Sequence, residues 1–293
     1  MPAAVNRAPA TSPPDAWSYS PAMSKIWFIT GASRGLGRVW TAAALRRGDR
    51  VAAAVRDPAA LAELVEAHGD AILPVQLDVT DREAAFAAVR QAHVHFGRLD
   101  VVMNNAGYAH WAFVEEVTEA QARAQFDVNL FGALWVTQAA IPLLRAQGSG
   151  HIVQVSSVGG VAAFPTLGLY NASKWALEGF TEALAQEVEA FGIRTTVIEP
   201  GGYATEGSVT SAVYSEPLPA YQPMHDVITP ALAEAAKLAA DPEASTAAVF
   251  AAIDAETPPR RLLLGSGAYD IVQGVYAERL KTWAEWEDTS RSA

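Results

Sequence analysis

A chain of 293 residues that is 51% hydrophobic and 18% charged has ample material for a buried core and does not read as a disordered chain. Its net charge of −11 and pI near 5.0 argue against a nucleic-acid surface, but not against a phosphate held by local arginines and backbone amides. With no cysteine there are no disulfides, thiolate nucleophiles or cysteine-ligated zinc, which fits a reducing, cytoplasmic compartment.

Residues 1–22 hold Pro2, Pro9, Pro13, Pro14 and Pro21 among Ala, Ser and Thr. They read as a disordered leader without the apolar core of a signal peptide, and Met23 is an alternative start. The remainder, 23–293, reads as one domain. Lys25–Thr30 is a short apolar strand ending in Gly31, followed by a helix over Gly35–Arg47 and a strand over Arg50–Val55. A helix is expected over Pro58–His68, with proline at its start. A strand follows at Ile72–Leu77, then a helix over Asp81–Phe96 opened by the Asp81 cap. Leu99–Asn104 reads as a strand, Thr118–Arg145 as one long helix, His151–Ser156 as a strand, Leu169–Phe191 as a helix and Ile193–Glu199 as a strand. Residues 203–230, rich in proline, read as a substrate loop with little regular pattern. Helices near Ala231–Ala240 and Pro242–Glu256, a strand at Arg261–Leu264 and a last helix near Tyr269–Trp286 form a C-terminal extension. No run of 18 uncharged apolar residues suggests a membrane span. The regular alternation of strand and helix predicts a doubly wound, Rossmann-type α/β fold, with a parallel sheet of about seven strands and helices on both faces.

Three stretches carry chemistry. Gly31, Ser33, Arg34, Gly35, Leu36 and Gly37 join the first strand to the first helix. Glycines there let the backbone turn tightly and approach a pyrophosphate, and the helix start offers free N–H groups. The spacing is G-x-x-x-G-x-G, and the same residues also spell the G-x-S-x-G of a serine-hydrolase elbow, which normally sits deeper in the sheet with Asp/Glu and then His following. The second strand ends Val55-Arg56 where an acid would suit a ribose 2′-hydroxyl. Arg56 and Arg34 therefore favour NADP(H) over NAD(H), with Asp57 a nearby opposing charge. Finally, Tyr170 and Lys174 are four apart on a helix and share a face. An ammonium about 4 Å from a phenol supplies about 4 kcal/mol at an effective dielectric near 20. That is nearly enough to lower a phenol by ~2–3 units and make it a general acid or base.

Taken together, Thr30–Gly37, Asn104-Asn105-Ala106-Gly107, Asn129, Ser157, Tyr170 with Lys174, and Pro200-Gly201 with Thr205 make the chain resemble the short-chain dehydrogenase/reductase family over roughly residues 24–205. Around Ser157 and Lys174 the wording is most similar to steroid- and retinol-reducing branches. The resemblance implies that Tyr170 transfers a proton to or from the substrate oxygen and that Lys174 lowers its pKa and binds the nicotinamide ribose. It implies that Ser157, 13 positions before the tyrosine, holds the oxygen, and that Asn129 anchors a water leading to Lys174. It assigns Asp78 and Val79 to the adenine, Asn105, Ala106 and Gly107 to the ribose and nicotinamide, and Pro200, Gly201 and Thr205 to the carboxamide side. Asp78 also suits a capping network with Thr80. Tyr203 departs from the family's usual valine.

No metal spacing links the histidines, and hydride chemistry needs none. His110, Trp111, Phe164, Tyr203 and Tyr214 are expected to rim the carboxyl ends of the strands, where open α/β sheets bind ligands, and their aromatic character suggests an apolar carbonyl compound. The expected protein is an NADP(H)-dependent ketone or aldehyde reductase, homodimeric or homotetrameric as the family commonly is, with neither nucleic acid nor membrane as partner. A non-catalytic NADP-sensing protein and a serine hydrolase are the alternatives.

Overall fold

The computed structural model describes residues 24–205 and 212–293; the expected leader, Met23 and residues 206–211 of the expected loop lie outside the described residues. Seven parallel strands form the sheet: β1 (Ile26–Thr30), β2 (Arg50–Val55), β3 (Ile72–Gln76), β4 (Val101–Asn104), β6 (Gly150–Val155), β7 (Ile193–Pro200) and β9 (Arg261–Leu264). Their order is β3-β2-β1-β4-β6-β7-β9, so the chain winds outward one way, then reverses and winds out the other. That reversal lies between β1 and β4, and it opens a crevice at their carboxyl ends.

The strands are apolar along their whole length because both faces are covered. On β1, Trp27 and Ile29 enter one core with α1 (Gly35–Arg46), α2 (Ala62–His68) and α8 (Thr246–Asp254), while Ile26 and Phe28 enter the other with α3 (Arg82–Phe96), α5 (Ala133–Gln147) and α6 (Gly168–Val188). Alternation along a strand thus serves two helical layers at once. Asp81 caps α3 by accepting from the Ala84 amide at 2.9 Å.

Two expectations are corrected, and a further element joins the fold. The long helix over Thr118–Arg145 is not one regular helix: α4 (Glu119–Phe126) passes into a π-helical turn at Asp127–Gly132 and then into α5. By length and composition Glu119–Gln147 is apolar enough to cross a membrane, but 44% of its apolar window is buried, against α3 and α6. Residues 203–230 are not one irregular loop. Helix α7 runs from Gln222 to Lys237, because Pro223 falls in its first turn, where a missing N–H costs little. Pro230 is carried inside that helix. Lastly, a second, two-stranded parallel sheet pairs β5 (His110–Trp111) with β8 (Val213–Tyr214), and its strands are too short to show a period-2 pattern. Helices α9 (Ser266–Glu285) and α10 (Glu287–Arg291) finish the chain.

Candidate active site

The glycine turn is built around Asn105. Its Nδ2 donates to the carbonyls of Thr30 at 3.0 Å and Gly31 at 3.2 Å, while the Thr30 hydroxyl accepts from the amides of Asn105 and Ala106, each at 3.0 Å. A Cβ on Gly37 would stand 2.3 Å from Asn105 Nδ2 and 2.4 Å from the Gly31 carbonyl, so only glycine fits. Gly31 and Gly35 hold φ of +68° and +56°. The turn is therefore a close backbone cradle at the start of α1, with Ser33 and Arg34 half-buried in it and Leu36 packed on the core. Thr205 closes the other side, its Cβ 3.4 Å from where a Gly35 Cβ would be. This is the donor set a dinucleotide pyrophosphate needs. Ser33 has no histidine partner among the described residues, so the hydrolase reading has no base.

Arg56 is exposed at the end of β2, and neither its guanidinium nor that of Arg34 makes an ion pair among the described residues. Asp57 does not neutralise them by contact: its carboxylate accepts from the Ala59 amide at 3.0 Å. Asp78 caps locally, one carboxylate oxygen accepting from the Thr80 amide and hydroxyl at 3.0 and 2.8 Å. Val79 is buried against Gly132, where a Cβ would stand 2.7 Å from it.

Tyr170, Lys174, Ser157 and Asn129 come together at the carboxyl end of β4 and β6. Around Gly159, a Cβ would meet Tyr170 Cε1 at 3.2 Å and Ser157 Oγ at 3.4 Å; around Gly107, it would meet Asn129 Oδ1 at 3.2 Å and Lys174 Nζ at 3.3 Å. Ser157 Oγ accepts from the Gly159 amide at 3.0 Å and faces the same space around Gly159 as the Tyr170 ring. The neighbouring Ser156 turns the other way, towards Glu178. Asn129 lies in the π-turn, and its amide group donates to the Tyr108 carbonyl and Ser173 Oγ while accepting from the Tyr108 amide. The wider turn aims it inward, as π-turns at functional sites often do.

The expected lowering of the phenol is corrected. Burial raises the Tyr170 pKa above its ordinary value, and the Ser157 hydroxyl opposes this without reversing it. Lys174 Nζ is 5.8 Å from the ring centroid and donates to the Val155 carbonyl at 2.8 Å. Its own pKa falls to about 8, chiefly through burial, with Glu178 holding it up. Burial here costs each charged form more than the pair recovers.

The rim differs more from expectation. Tyr203 is 8% exposed and packs in the core with Trp40 and Phe250, not on the rim, because the Tyr203–Ala240 bridge draws it inward. His110 is buried, its Nε2 2.9 Å from Ser215 Oγ, and burial lowers its pKa. Trp111 is half-buried opposite the exposed Tyr214 in the small sheet, and Phe164 is half-buried with its carbonyl accepting from Asn171. Pro200-Gly201 is tied to β9 through the Gly201 amide and Leu264 carbonyl at 2.9 Å.

Glu116 escapes the sequence reading, and its partner His225 reads there only as a histidine of the proline-rich stretch without metal spacing. Buried Glu116 accepts from the amides of Phe113 at 2.8 Å and Leu218 at 3.0 Å and lies 2.7 Å from His225 Nε2. Phe113 stacks on Tyr221 at 4.7 Å. Its only signal is a buried acid amid apolar residues. Thr166 is another: a β-branched residue at φ +65° between Ser157 and Tyr170. A cleft of about 760 Å³ around Lys25, Asp100 and Ile193 lies at the amino ends of the strands, away from all these groups.

Comparison with known proteins places this geometry. Residues 25–212 match the family described as short chain dehydrogenase. An oxidoreductase BOA17 of Botryotinia fuckeliana is 42% identical over 275 residues, covering 92% of this chain and 98% of the relative. Among solved structures, a short-chain dehydrogenase from Streptomyces avermitilis superposes with a TM-score of 0.85 at 36% identity, over 92% of this chain and 98% of that one. One from Burkholderia phymatum in complex with NAD gives 0.75 at 25% identity, over 85% and 92%. One from Burkholderia cenocepacia in complex with NADP gives 0.71 at 28%, over 89% and 97%.

Proposed function

Since this chain belongs to the short-chain dehydrogenase family, and is an oxidoreductase using a nicotinamide cofactor, we propose that it is an NADP(H)-dependent reductase of hydrophobic ketones or aldehydes, with Tyr170 as proton donor. The observation that carries this reading is the convergence of Ser157 Oγ, the Tyr170 phenol and Lys174 Nζ beside the glycine cradle. When bound, the nicotinamide supplies the hydride. The protein's own groups handle the oxygen and its proton. Ser157 offers a hydroxyl where negative charge develops on the carbonyl oxygen. Burial keeps the Tyr170 phenol protonated, so it enters the reaction as an acid. As the proton leaves, the phenolate is met by the Ser157 hydroxyl and by the Lys174 ammonium. Asn129 holds the Tyr108 backbone, and with it the Gly107 approach to Lys174.

The preference for NADP(H) is supported by Arg34 and Arg56, the two unengaged guanidiniums beside the end of β2. An apolar substrate is supported by Trp111, Phe164 and Tyr214 on the rim. A homo-oligomer and a cytoplasmic setting belong to the same reading, supported by the exposed Phe131 and Trp175 and the cysteine-free composition. The test is Tyr170→Phe, assayed on a panel of ketones and aldehydes with each cofactor. Turnover should fall by about 10²–10⁴-fold while cofactor binding stays near that of the unmodified protein. Retained turnover sinks the mechanism.

A further inference from the structure

Behind the catalytic face, one helical turn beyond Lys174, lies a cluster the mechanism above leaves unused. Glu178 of α6 and Glu199 of β7 are 4% and 2% exposed. A single guanidinium serves both: Arg261 Nη1, from β9, bonds Glu178 and lies 2.6 Å from Glu199, while Nη2 turns outward to the exposed Glu182. The two carboxyls thus meet on one nitrogen, and a charge on Glu199 makes Glu178 harder to ionise. Glu178 borders the Ser156 hydroxyl, and Gly160 leaves the room: a Cβ there would stand 2.4 Å from Ser156 Oγ and 2.8 Å from Glu178 Oε1.

An ion pair that merely fastened β9 to α6 needs only the surface partner Glu182. Burying two further acids against one base is costly unless something else balances them. Lys174, which sits at i−4 on the same helix face, is in place to do so. The other charges around α6 face elsewhere. Arg279 lies over Trp175 and donates to the Val161 carbonyl, and Arg260 pairs with Glu189.

We propose that Glu178 is a positioning residue for Lys174: its carboxyl, clamped with Glu199 by Arg261, sets how firmly the lysine stays protonated beside Tyr170. The inference rests on the assignment of Tyr170 and Lys174 to proton transfer. The titrations agree in range. Burial pushes Glu178 up to about 7, and it raises Glu199 as well. Lys174, lowered mainly by its own burial to about 8, is supported by Glu178. With ionisation of both opposed by burial, the charge of the pair is divided between the two acids. The closer that charge sits to Glu178, the more it favours the ammonium.

Glu178→Gln and Glu199→Gln should then act in opposite directions. Glu178→Gln moves the charge to Glu199, away from the lysine, and Glu199→Gln places it wholly on Glu178. The chain has four lysines, Lys25, Lys174, Lys237 and Lys281, so NMR of protein labelled at lysine Cε follows Lys174 without any assay of turnover. We expect its midpoint to fall by about half a pH unit, a threefold change in ionisation constant, in Glu178→Gln, and to rise in Glu199→Gln. The alkaline limb of the kcat/KM profile should move with it in each variant. Shifts of the same sign, or none in either variant, overturn the proposal. Should Glu178→Gln fail to fold, a Lys174 midpoint that stays or falls in Glu199→Gln overturns it alone. Wild-type turnover in Tyr170→Phe would instead overturn the catalytic reading, while the lysine titration would still report on Glu178.

Discussion

Asn105 and Glu116 each tie together segments that would otherwise drift, yet they produce different kinds of order. Asn105, just past β4, bonds to the carbonyls of Thr30 at the end of β1 and of Gly31 after it, and those two neighbouring strands are fixed by the sheet and covered on both faces. Nothing at this floor can shift without breaking strand pairing. Glu116 instead joins Phe113, Leu218 and His225, residues about a hundred positions apart, across a rim made of two-residue strands and a helix, α7, with no buried residue. Side-chain contacts around Glu116, among them the Phe113–Tyr221 stack, rather than a broad paired sheet, hold that rim closed. The floor suits chemistry that tolerates no misplacement, and the rim suits a lid that adapts to substrate.

The contrast can be broken most severely at Gly37. In Gly37→Ala the new methyl meets Asn105 and the Gly31 carbonyl inside van der Waals contact, with strands preventing relief. We expect about 3 kcal/mol of lost stability by thermal or denaturant unfolding, and loss of nucleotide binding by calorimetry. Normal binding would mean the floor is not rigid. Next, Arg34→Ala and Arg56→Ala should each weaken NADP(H) binding roughly tenfold and leave NAD(H) little changed, since a charged hydrogen bond is worth about 1.5–3 kcal/mol. Equal losses for both cofactors would remove the basis for the preference.

At the rim the effects should be smaller and fall on KM. Glu116→Gln should raise KM by up to about tenfold, with kcat within about twofold and the unfolding temperature nearly unchanged. Burial alone would push the Glu116 carboxyl up, but its bonds from His225, Leu218 and Phe113 outweigh this and hold it below the usual carboxylate range. A carboxyl held low stabilises the closed rim above its unfolded value and loses that contribution as the pH falls through its lower folded one. KM in the unmodified protein should accordingly rise as the pH falls below the usual carboxylate range, and Glu116→Gln should flatten that rise. Smallest of all, Thr166→Asn relieves a β-branched residue at positive φ. It should stabilise by about 1 kcal/mol and raise the melting temperature by about 2 °C, with no change in cofactor binding.

Elements whose physics is local were legible in the chain itself. Arg50–Val55 and Arg261–Leu264 appear with their expected bounds, and Asp81 caps α3, because an apolar run or a cap depends on neighbours in sequence. The glycine cradle and the Tyr170–Lys174 spacing belong here too: tight turns and helix faces are encoded within a few residues. Burial and long-range pairing were decided elsewhere. Whether the Tyr170 phenol is raised or lowered depends on how much water the fold removes, which no spacing records. Tyr203 reads like a rim aromatic until Ala240 pulls it into the core, and Asn129 reads as a helical residue until the chain widens into a π-turn. Glu116 with His225, and Glu178 and Glu199 with Arg261, join residues 62 to 109 positions apart. Such contacts exist only once the sheet has set its strand order, so only the tertiary structure could place them.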